Sequence, residues 1–569
     1  MQTLRKLTIV ILSMFCVAAS AFAQNKTITG TVTGSDGEIL TGATLVTAGG
    51  NYALTEVDGS FTITAKDGEN IVVSYLGYDD YAFVAAGQKD LAVILPLSAN
   101  TVLEEAVAIG YGKTTKKEVT GSVVSLKADD FDKGAFTSAA GMLQGKVAGL
   151  SITNPNGGDP NASFEIMLRG ANTLSAGQGP LIIIDGVVGA DMRTINFQEV
   201  ESMDVLKDGS AAAIYGTRGT NGVIIITTKR AKSGTTSVEY DGQVSVQTVR
   251  SRAMPMTADE FKYAIETYKP ASSGSLYGHD TDWFDAVTRT PVSHKHNLSI
   301  AGGSEKFSHR TVINVEKNQG ILQKNDSDKY LVKTNIHQSA LEGWLDFDYN
   351  LSYVKRQYSG SRTGIFRQAF MHNPTEPIYD ETDKANGGYF TIGGMDYYNP
   401  VAMLNDKYDL SNAKRFVGNA QFDYKFHGFE DLRFNLNLGL DYASSGGFTE
   451  SPIGSEQSYH DTKQSGSGYH SDYSYKRVDK TLEAYIAYNK DINNHHVDAM
   501  AGYSWQHFYN ESTSYSYKLT DQSALSDKLN PKGELFLVSF FGRVNYSYDN
   551  RYMITATLRR DGTSRFQNN

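Results

Sequence analysis

Cysteine is almost missing from these 569 residues: Cys16 stands alone. One cysteine excludes a disulfide framework and any zinc or iron–sulfur site held by cysteines. Long apolar runs are missing too. Beyond the N-terminus no stretch approaches 18 residues, and mean hydropathy is −0.36. That excludes a helical membrane protein but not a β-barrel, whose strands are apolar on one face only. Charge is scarce, at 20% of residues, and its balance is acidic: 53 Lys+Arg against 63 Asp+Glu, a net charge of −10. Such a chain is not built to grip a phosphate backbone, so no nucleic-acid partner is expected. Twelve prolines against 54 glycines fit neither a collagen-like nor a proline-rich disordered chain. Aromatic residues are abundant and unevenly placed. All but six of the 34 tyrosines follow Ser233. At this length three or four domains are expected.

Residues 1–23 read as a secretory signal peptide. Arg5 and Lys6 precede the apolar stretch 7–17, and Ala21-Phe22-Ala23 supplies small residues at the cleavage positions. The alternative, acylation of Cys16, sets the bulky Phe15 where a lipoprotein signal wants a small side chain. Cleavage before Gln24 removes Cys16, and the protein leaves the cytoplasm. Residues 24–98 show short β runs at 29–32, 43–47, 60–64, 70–75 and 91–95. They are punctuated by Asp36-Gly37, Asp58-Gly59 and Asp67-Gly68 turns, the pattern of a small β-sandwich. The strings ITGTVTGSDGEILTGATL, TEVDGSFTI and VVSYLGYDDY resemble the carboxypeptidase-regulatory-like domain at the N-terminus of Bacteroidetes outer-membrane transporters. No metal-ligand cluster and no nucleophile with a base accompanies them, so this domain reads as non-catalytic.

The tether at 99–117 contains Gly112-Lys113-Thr114. This is not a phosphate loop, because Val107 stands where that motif demands its first glycine. It does contain a short apolar strand in polar surroundings, which a partner can capture through edge pairing. An ordinary interdomain linker is the plainer reading of such a composition. The string EEAVAIGYGKTTKKEVTGSV resembles the TonB-box region of SusC-like (SusC/RagA family) TonB-dependent transporters. The resemblance implies a TonB-box made of Glu104, Glu105, Ala106, Val107, Ala108, Ile109, Gly110, Tyr111 and Gly112.

From 118 to 232 helix and strand signals mix. A short helix is expected at 139–147, buried strands at 165–169 and 181–185, a small-residue helix at 211–214 and a strand at 223–228. The glycines 216, 219 and 222 are not a dinucleotide fingerprint, since Thr217 fills the first required glycine position. The strings LQGKVAGLSIT, IMLRGANTL and DVLKDGSAAAIYGTRGTNGVIIITTKR closely resemble the plug domain of SusC-like transporters. The motif residues carried by that resemblance are Arg169, Gly170, Asp185, Gly186, Lys207, Asp208, Tyr215, Gly216, Arg218, Gly219, Asn221 and Gly222. Arg169 and Arg218 are expected as structural ion-pair partners ahead of a role lining a transport path.

From 233 to 569 the period becomes two. Residues 419–426 set Ala420, Phe422, Tyr424 and Phe426 against Asn419, Gln421, Asp423 and Lys425. Residues 433–442 set Phe434, Leu436, Leu438 and Leu440 against Arg433, Asn435, Asn437 and Asp441. About eleven strands follow, joined by connections that alternate between short and long, as in an outer-membrane barrel. Eleven falls short of the 22 strands of a plugged barrel. The chain therefore reads as the N-terminal part of such a protein, or as a gene truncated in mid-barrel. The expected fold class is mainly β: a small sandwich, an α+β plug and an incomplete antiparallel transmembrane barrel.

Catalysis finds no support in the sequence. His294/His296 and His495/His496 lack a third ligand, and Asp346, Asp348 and Asn350 lack the glycine of a calcium loop. No metal site, cofactor or enzyme activity is expected. What the resemblance implies is TonB-dependent import of a nutrient, a glycan or a peptide, across the outer membrane. TonB with ExbB/ExbD would supply energy, and a SusD-like surface lipoprotein would act as lid. The plug and the N-terminal domain would face the periplasm, with the barrel wall against outer-membrane lipid. Trp283, Tyr397, Tyr398 and Trp505 are expected to stack on ligand, with interface girdles as the plainer placement for such rings. A surface receptor of the same architecture that binds or signals without transport is the alternative function, and a secreted β-sandwich adhesin a third.

Overall fold

The structure is a computed structural model. It describes residues 25–96, 106–108, 113–115 and 122–565, apart from short gaps at 36, 76–77, 132–138, 155–157, 171–176, 209–212, 232–233, 235, 250–253, 362–363, 381, 383–384, 393–397, 463–464 and 550. It falls into two compact units, residues 1–105 and 106–569.

The first unit is a β-sandwich of seven strands: β1 (Asn25–Gly34), β2 (Thr44–Thr47), β3 (Tyr52–Leu54), β4 (Ser60–Lys66), β5 (Asn70–Ser74), β6 (Tyr81–Val84) and β7 (Leu91–Leu95). One sheet has the order β4-β1-β7 and the other β3-β2-β5-β6. Alternation along β4 and β5 sends Phe61, Ile63, Ile71 and Val73 inward, where they pack with Ile28, Val32 and Leu45. β3 and β6 go beyond the five strands expected. Each has only three or four residues with no buried side chain, so neither carries a periodic signal.

The second unit begins with a small hairpin of β8 (Ala106–Ala108) on β9 (Lys113–Thr115). A mixed sheet follows, built from β10 (Val123–Lys127), β13 (Leu181–Ile184), β14 (Val187–Val188), β15 (Val200–Leu206) and β16 (Val223–Thr228), in the order β10-β15-β16-β13-β14. A separate pair, β11 (Leu150–Thr153) and β12 (Glu165–Leu168), lies apart from that sheet. The helix expected at 139–147 is one turn, α1 (Ala139–Met142), because Gly145 and Gly149 adopt positive φ. The small-residue helix is a kinked 3-10 segment, Ala213–Gly219.

Eleven antiparallel strands make the remaining sheet, each paired with its sequence neighbour: β17 (Ser237–Val246), β18 (Val292–Gly303), β19 (Phe307–Gln319), β20 (Asp326–Ala340), β21 (Leu345–Gly360), β22 (Tyr408–Phe426), β23 (Phe429–Ser451), β24 (Tyr469–Ile492), β25 (His495–Lys518), β26 (Lys532–Tyr548) and β27 (Tyr552–Thr563). Connections at one end are tight, such as the two residues between β22 and β23; those at the other reach 47 residues between β21 and β22. The wall is a single sheet with a polar inner face and an apolar outer face. Asn419, Asn437 and Asp441 are buried inside, whereas Leu438, Leu440 and Tyr442 are exposed outside. From Phe434 to Tyr442 the outer face is continuously apolar. Eight residue steps give about 27 Å along the strand, or about 21 Å of membrane at a 40° tilt.

Three strands run well past that band. Residues 443–451, 469–475 and 509–518 are parts of β23, β24 and β25. Beyond the lipid both faces of a strand meet water, so alternation disappears while backbone pairing continues. The long connections also carry helices, namely α2 (Ala258–Tyr268), α3 (Trp283–Val287), α4 (Ile365–Met371), α5 (Pro400–Asn405) and α6 (Glu456–Asp461). Trp283, Val287, Leu322, Ile365, Ala369 and Leu404 pack into a separate core among those connections.

Candidate functional site: the plug against the barrel wall

The mixed sheet lies against the inner face of the wall, and charge holds it there. β13 and β14 are joined by Asp185 and Gly186, both at positive φ (+48° and +87°), the geometry of a tight primed hairpin turn. The positive φ at the second position favours glycine, and a Cβ there would lie 2.5 Å from Nε2 of Gln421 on the wall. Asp185 accepts the Thr228 N–H at 2.9 Å and forms an ion pair with Lys333 of β20. Both charged side chains are about 5% exposed. Beneath the turn, amides form a ladder along the wall. Asn350 donates to Asn419 (3.0 Å), Asn419 to Asn437 (3.1 Å) and Asn437 to Glu483 (3.2 Å).

A second anchor is Glu199, the last residue of a 3-10 turn just before β15. It accepts Arg310 Nε at 2.7 Å and Asn297 Nδ2 at 3.1 Å, with both charges nearly inaccessible. A third is Asp191, which accepts the Arg193 N–H at 2.9 Å and meets Arg415 of β22 at 3.3 Å. Where the plug chain leaves for the wall, Arg230 meets Asp348 at 2.6 Å. None of Glu199, Arg310, Lys333 or Arg415 stood out in the sequence. The available signal was a charged residue at the inward position of a strand whose other face is apolar.

The plug residues expected from the sequence divide by location. Arg169 (φ +59°) reaches Asp208 at 2.7 Å on an exposed edge, so its partner is structural. The Ser122 N–H, with Arg169 beside it, holds the Asp208 carboxyl below the ordinary range. Lys207 Nζ donates to the Ala148 carbonyl at 3.0 Å, and Asn221 Nδ2 to that of Gly177 at 2.8 Å. Tyr215 is buried against Met500 and Phe541 of the wall. Gly170, Gly216 and Gly222 sit at positive φ, and Gly219 closes the 3-10 segment. Arg218 faces the wall, donating to Gln506 Oε1 at 3.0 Å with its guanidinium 4.9 Å from the Phe508 ring centre.

The comparisons with known proteins agree with this geometry. Residues 115–223 match the family model "TonB-dependent Receptor Plug Domain". The TonB-dependent receptor SusC of Bacteroides thetaiotaomicron is 34% identical over 99% of this chain and 59% of its own length. The chain belongs to the SusC-like TonB-dependent receptors. TonB-dependent receptor P3 of Formosa agariphila is 32% identical over 98% of this chain and 57% of its own. Among solved structures, the RagAB peptide importer in its open-open state superposes with a TM-score of 0.69. It covers 81% of this chain and 57% of its own, at 22% identity, and so speaks for the fold. The chain thus spans somewhat over half the length of these curated relatives. Receptors of this family are outer-membrane β-barrel proteins, and the relatives are receptors rather than enzymes.

The aromatic residues expected to stack on ligand take other places in this receptor. Trp283 is 2% exposed, donates from Nε1 to the Asn373 carbonyl at 2.9 Å and packs edge-on to His372. It is a core residue of the loop cluster, and Tyr398 packs partly buried against the same core. Trp505 lies not in a loop but within β25, on the outer face between the inward Ser504 and Gln506. It packs beside Phe536 and, in the register, continues the outward row of Leu438 and Leu482. Tyr397 lies outside the described residues.

Of the TonB-box residues, Ala106, Val107 and Ala108 form β8, while Glu104, Glu105, Ile109, Gly110, Tyr111 and Gly112 lie outside the described residues. Among the described residues no group of three or more His, Cys, Asp or Glu is placed to hold a metal ion. His294 and His296 contact each other and Tyr240 on the outer face, and His495 contacts Tyr546.

Proposed function

We propose that this receptor imports a nutrient across the outer membrane, a glycan foremost, with TonB displacing part of the plug. The observation that carries the reading is the chemistry of the plug–wall contact. Ion pairs and amide hydrogen bonds run along it, with apolar contact confined to patches such as Tyr215 on Met500 and Phe541. Water can replace such contacts one by one as the plug moves, whereas a greasy seam would have to be exposed whole. The relatives' names support the same reading, and the RagAB importer adds peptide as the second ligand class.

The long-loop end of the wall then faces the medium, and the short-turn end, with the first unit, faces the periplasm. Ligand enters above the plug and TonB captures the segment 104–112 by strand pairing. ExbB/ExbD supply the proton-driven pull, and a SusD-like lipoprotein covers the loops. The domain division follows: signal peptide 1–23, sandwich 24–98, tether 99–117, plug 118–232 and barrel wall from 233.

Cells that carry the gene should accumulate labelled oligosaccharide from a mixed pool, and collapse of the proton gradient should stop it. Ligand that binds these cells without accumulating, gradient intact, would instead make the protein a binding or signalling receptor.

A further inference from the structure

We infer that the space above the plug takes an acidic oligosaccharide, whose carboxylates complete an arginine belt left short of carboxylates by the protein itself. This rests on the import reading and specifies its ligand. Five arginines gather where plug segment 189–193 meets the wall. Arg193 pairs with Asp191 at 2.8 Å, and Asp191 is shared with Arg415. Arg415 also holds Asp441, and Arg477 holds Asp479. Arg415 and Arg477 flank Ala443 on the two neighbouring strands, since both face it in the register. Arg356, opposite Ala413, is one inward position nearer the loops.

Three aspartates therefore serve five guanidinium groups. The two left over bind neutral amide oxygens: Arg356 donates to Asn161 Oδ1 and Arg218 to Gln506 Oε1 at 3.0 Å. Neither has a carboxylate ion-pair partner among the described residues. Nearby acids pair elsewhere: beside Arg218, Asp479 is held by Arg477 and Glu483 accepts the Asn437 amide. Glu316 is held by Lys329 at 3.5 Å, and Asp159 accepts the Tyr358 hydroxyl at 3.1 Å.

Arg193, Arg356, Lys329 and Asn161 line one crevice between plug and wall, and the Arg193 side chain is 43% exposed. A guanidinium taken from water is stabilised by an anion, and its planar fork matches a carboxylate.

The wall above the belt specifies the rest of the ligand. The register sets Tyr358, Ser411, Gly447 and Tyr473 in one row across four strands. The next row places Tyr475 against Ser445. Phenol rings over small residues and hydroxyls offer flat faces and hydrogen bonds together, which suits sugar rings better than peptide side chains.

The test uses outer membranes from cells expressing the protein, with tetragalacturonic acid, its methyl ester and tetraglutamate as probes. The acid should be retained, more weakly at high salt, and the ester at least tenfold less. Arg356→Gln and Arg218→Gln should each weaken acid binding by about tenfold to a hundredfold, the worth of a charge-assisted hydrogen bond. Ester binding should stay unchanged in both, and Arg356→Lys should fall between. Resistance of each variant to carbonate extraction confirms that it is inserted. Equal retention of acid and ester, unaltered acid binding in both Gln variants, tighter binding of tetraglutamate, or no retained acid would each overturn the inference. The import reading fails separately, through uptake that survives loss of the gene.

Discussion

Lys333→Ala should loosen the plug from the wall by about 3–5 kcal/mol, the cost of leaving one partner of a buried ion pair alone. Asp185 would remain in the turn, about 5% exposed, with Thr228 as its remaining partner. Turn geometry fixes that outcome. The hairpin tip lies against Gln421 of the wall, so the Asp185 carboxylate stays at the plug–wall contact. The double variant Asp185→Asn with Lys333→Met should recover most of the loss, because no charge is then stranded. Limited proteolysis of the plug in outer membranes reads the effect. Cleavage at the wild-type rate in Lys333→Ala would show that the pair does not anchor the plug.

Gly222→Ala should cost the plug about 2–5 kcal/mol. Positive φ (+85°) contributes about 1–2 kcal/mol of that, since a Cβ is disfavoured there. Overpacking contributes a further 1–3 kcal/mol. The new methyl would collide with Leu168 Cδ2 and lie 3.0 Å from the Leu206 carbonyl oxygen, and both leucines are buried. Gly145→Ala separates the two causes. It too has positive φ (+75°), but nothing lies within 4 Å of its Cβ, so only the backbone cost should appear. Equal losses of plug protection in the two variants would assign the effect to backbone strain alone.

The wall was legible in the sequence because lipid writes a pattern. A strand with lipid on one face and the plug on the other must alternate, and residues 419–426 and 433–442 do so without exception. The same reasoning explains where the pattern stops. At 509–518 both faces meet water, nothing enforces a period, and the polar run looks like a loop although it pairs with β24 throughout.

The loop helices were hidden for a related reason. α3, α4 and α5 have five to seven residues each, too few for a helical period to declare itself. Trp283 was therefore taken for a surface ring when it is the centre of their shared core. The plug was legible through its motif strings and glycines. Its anchors were not, since Glu199–Arg310 and Asp185–Lys333 join residues 111 and 148 positions apart, and no local pattern announces such a pair.

The central claim is that the segment at 104–112 couples this receptor to an energy source. An in-frame deletion of those nine residues tests it most directly, with labelled ligand followed in cells and the protein followed in the outer-membrane fraction. Unchanged membrane insertion, unchanged surface binding and abolished accumulation are the predicted result. Accumulation at the wild-type rate from the deleted protein would contradict the account.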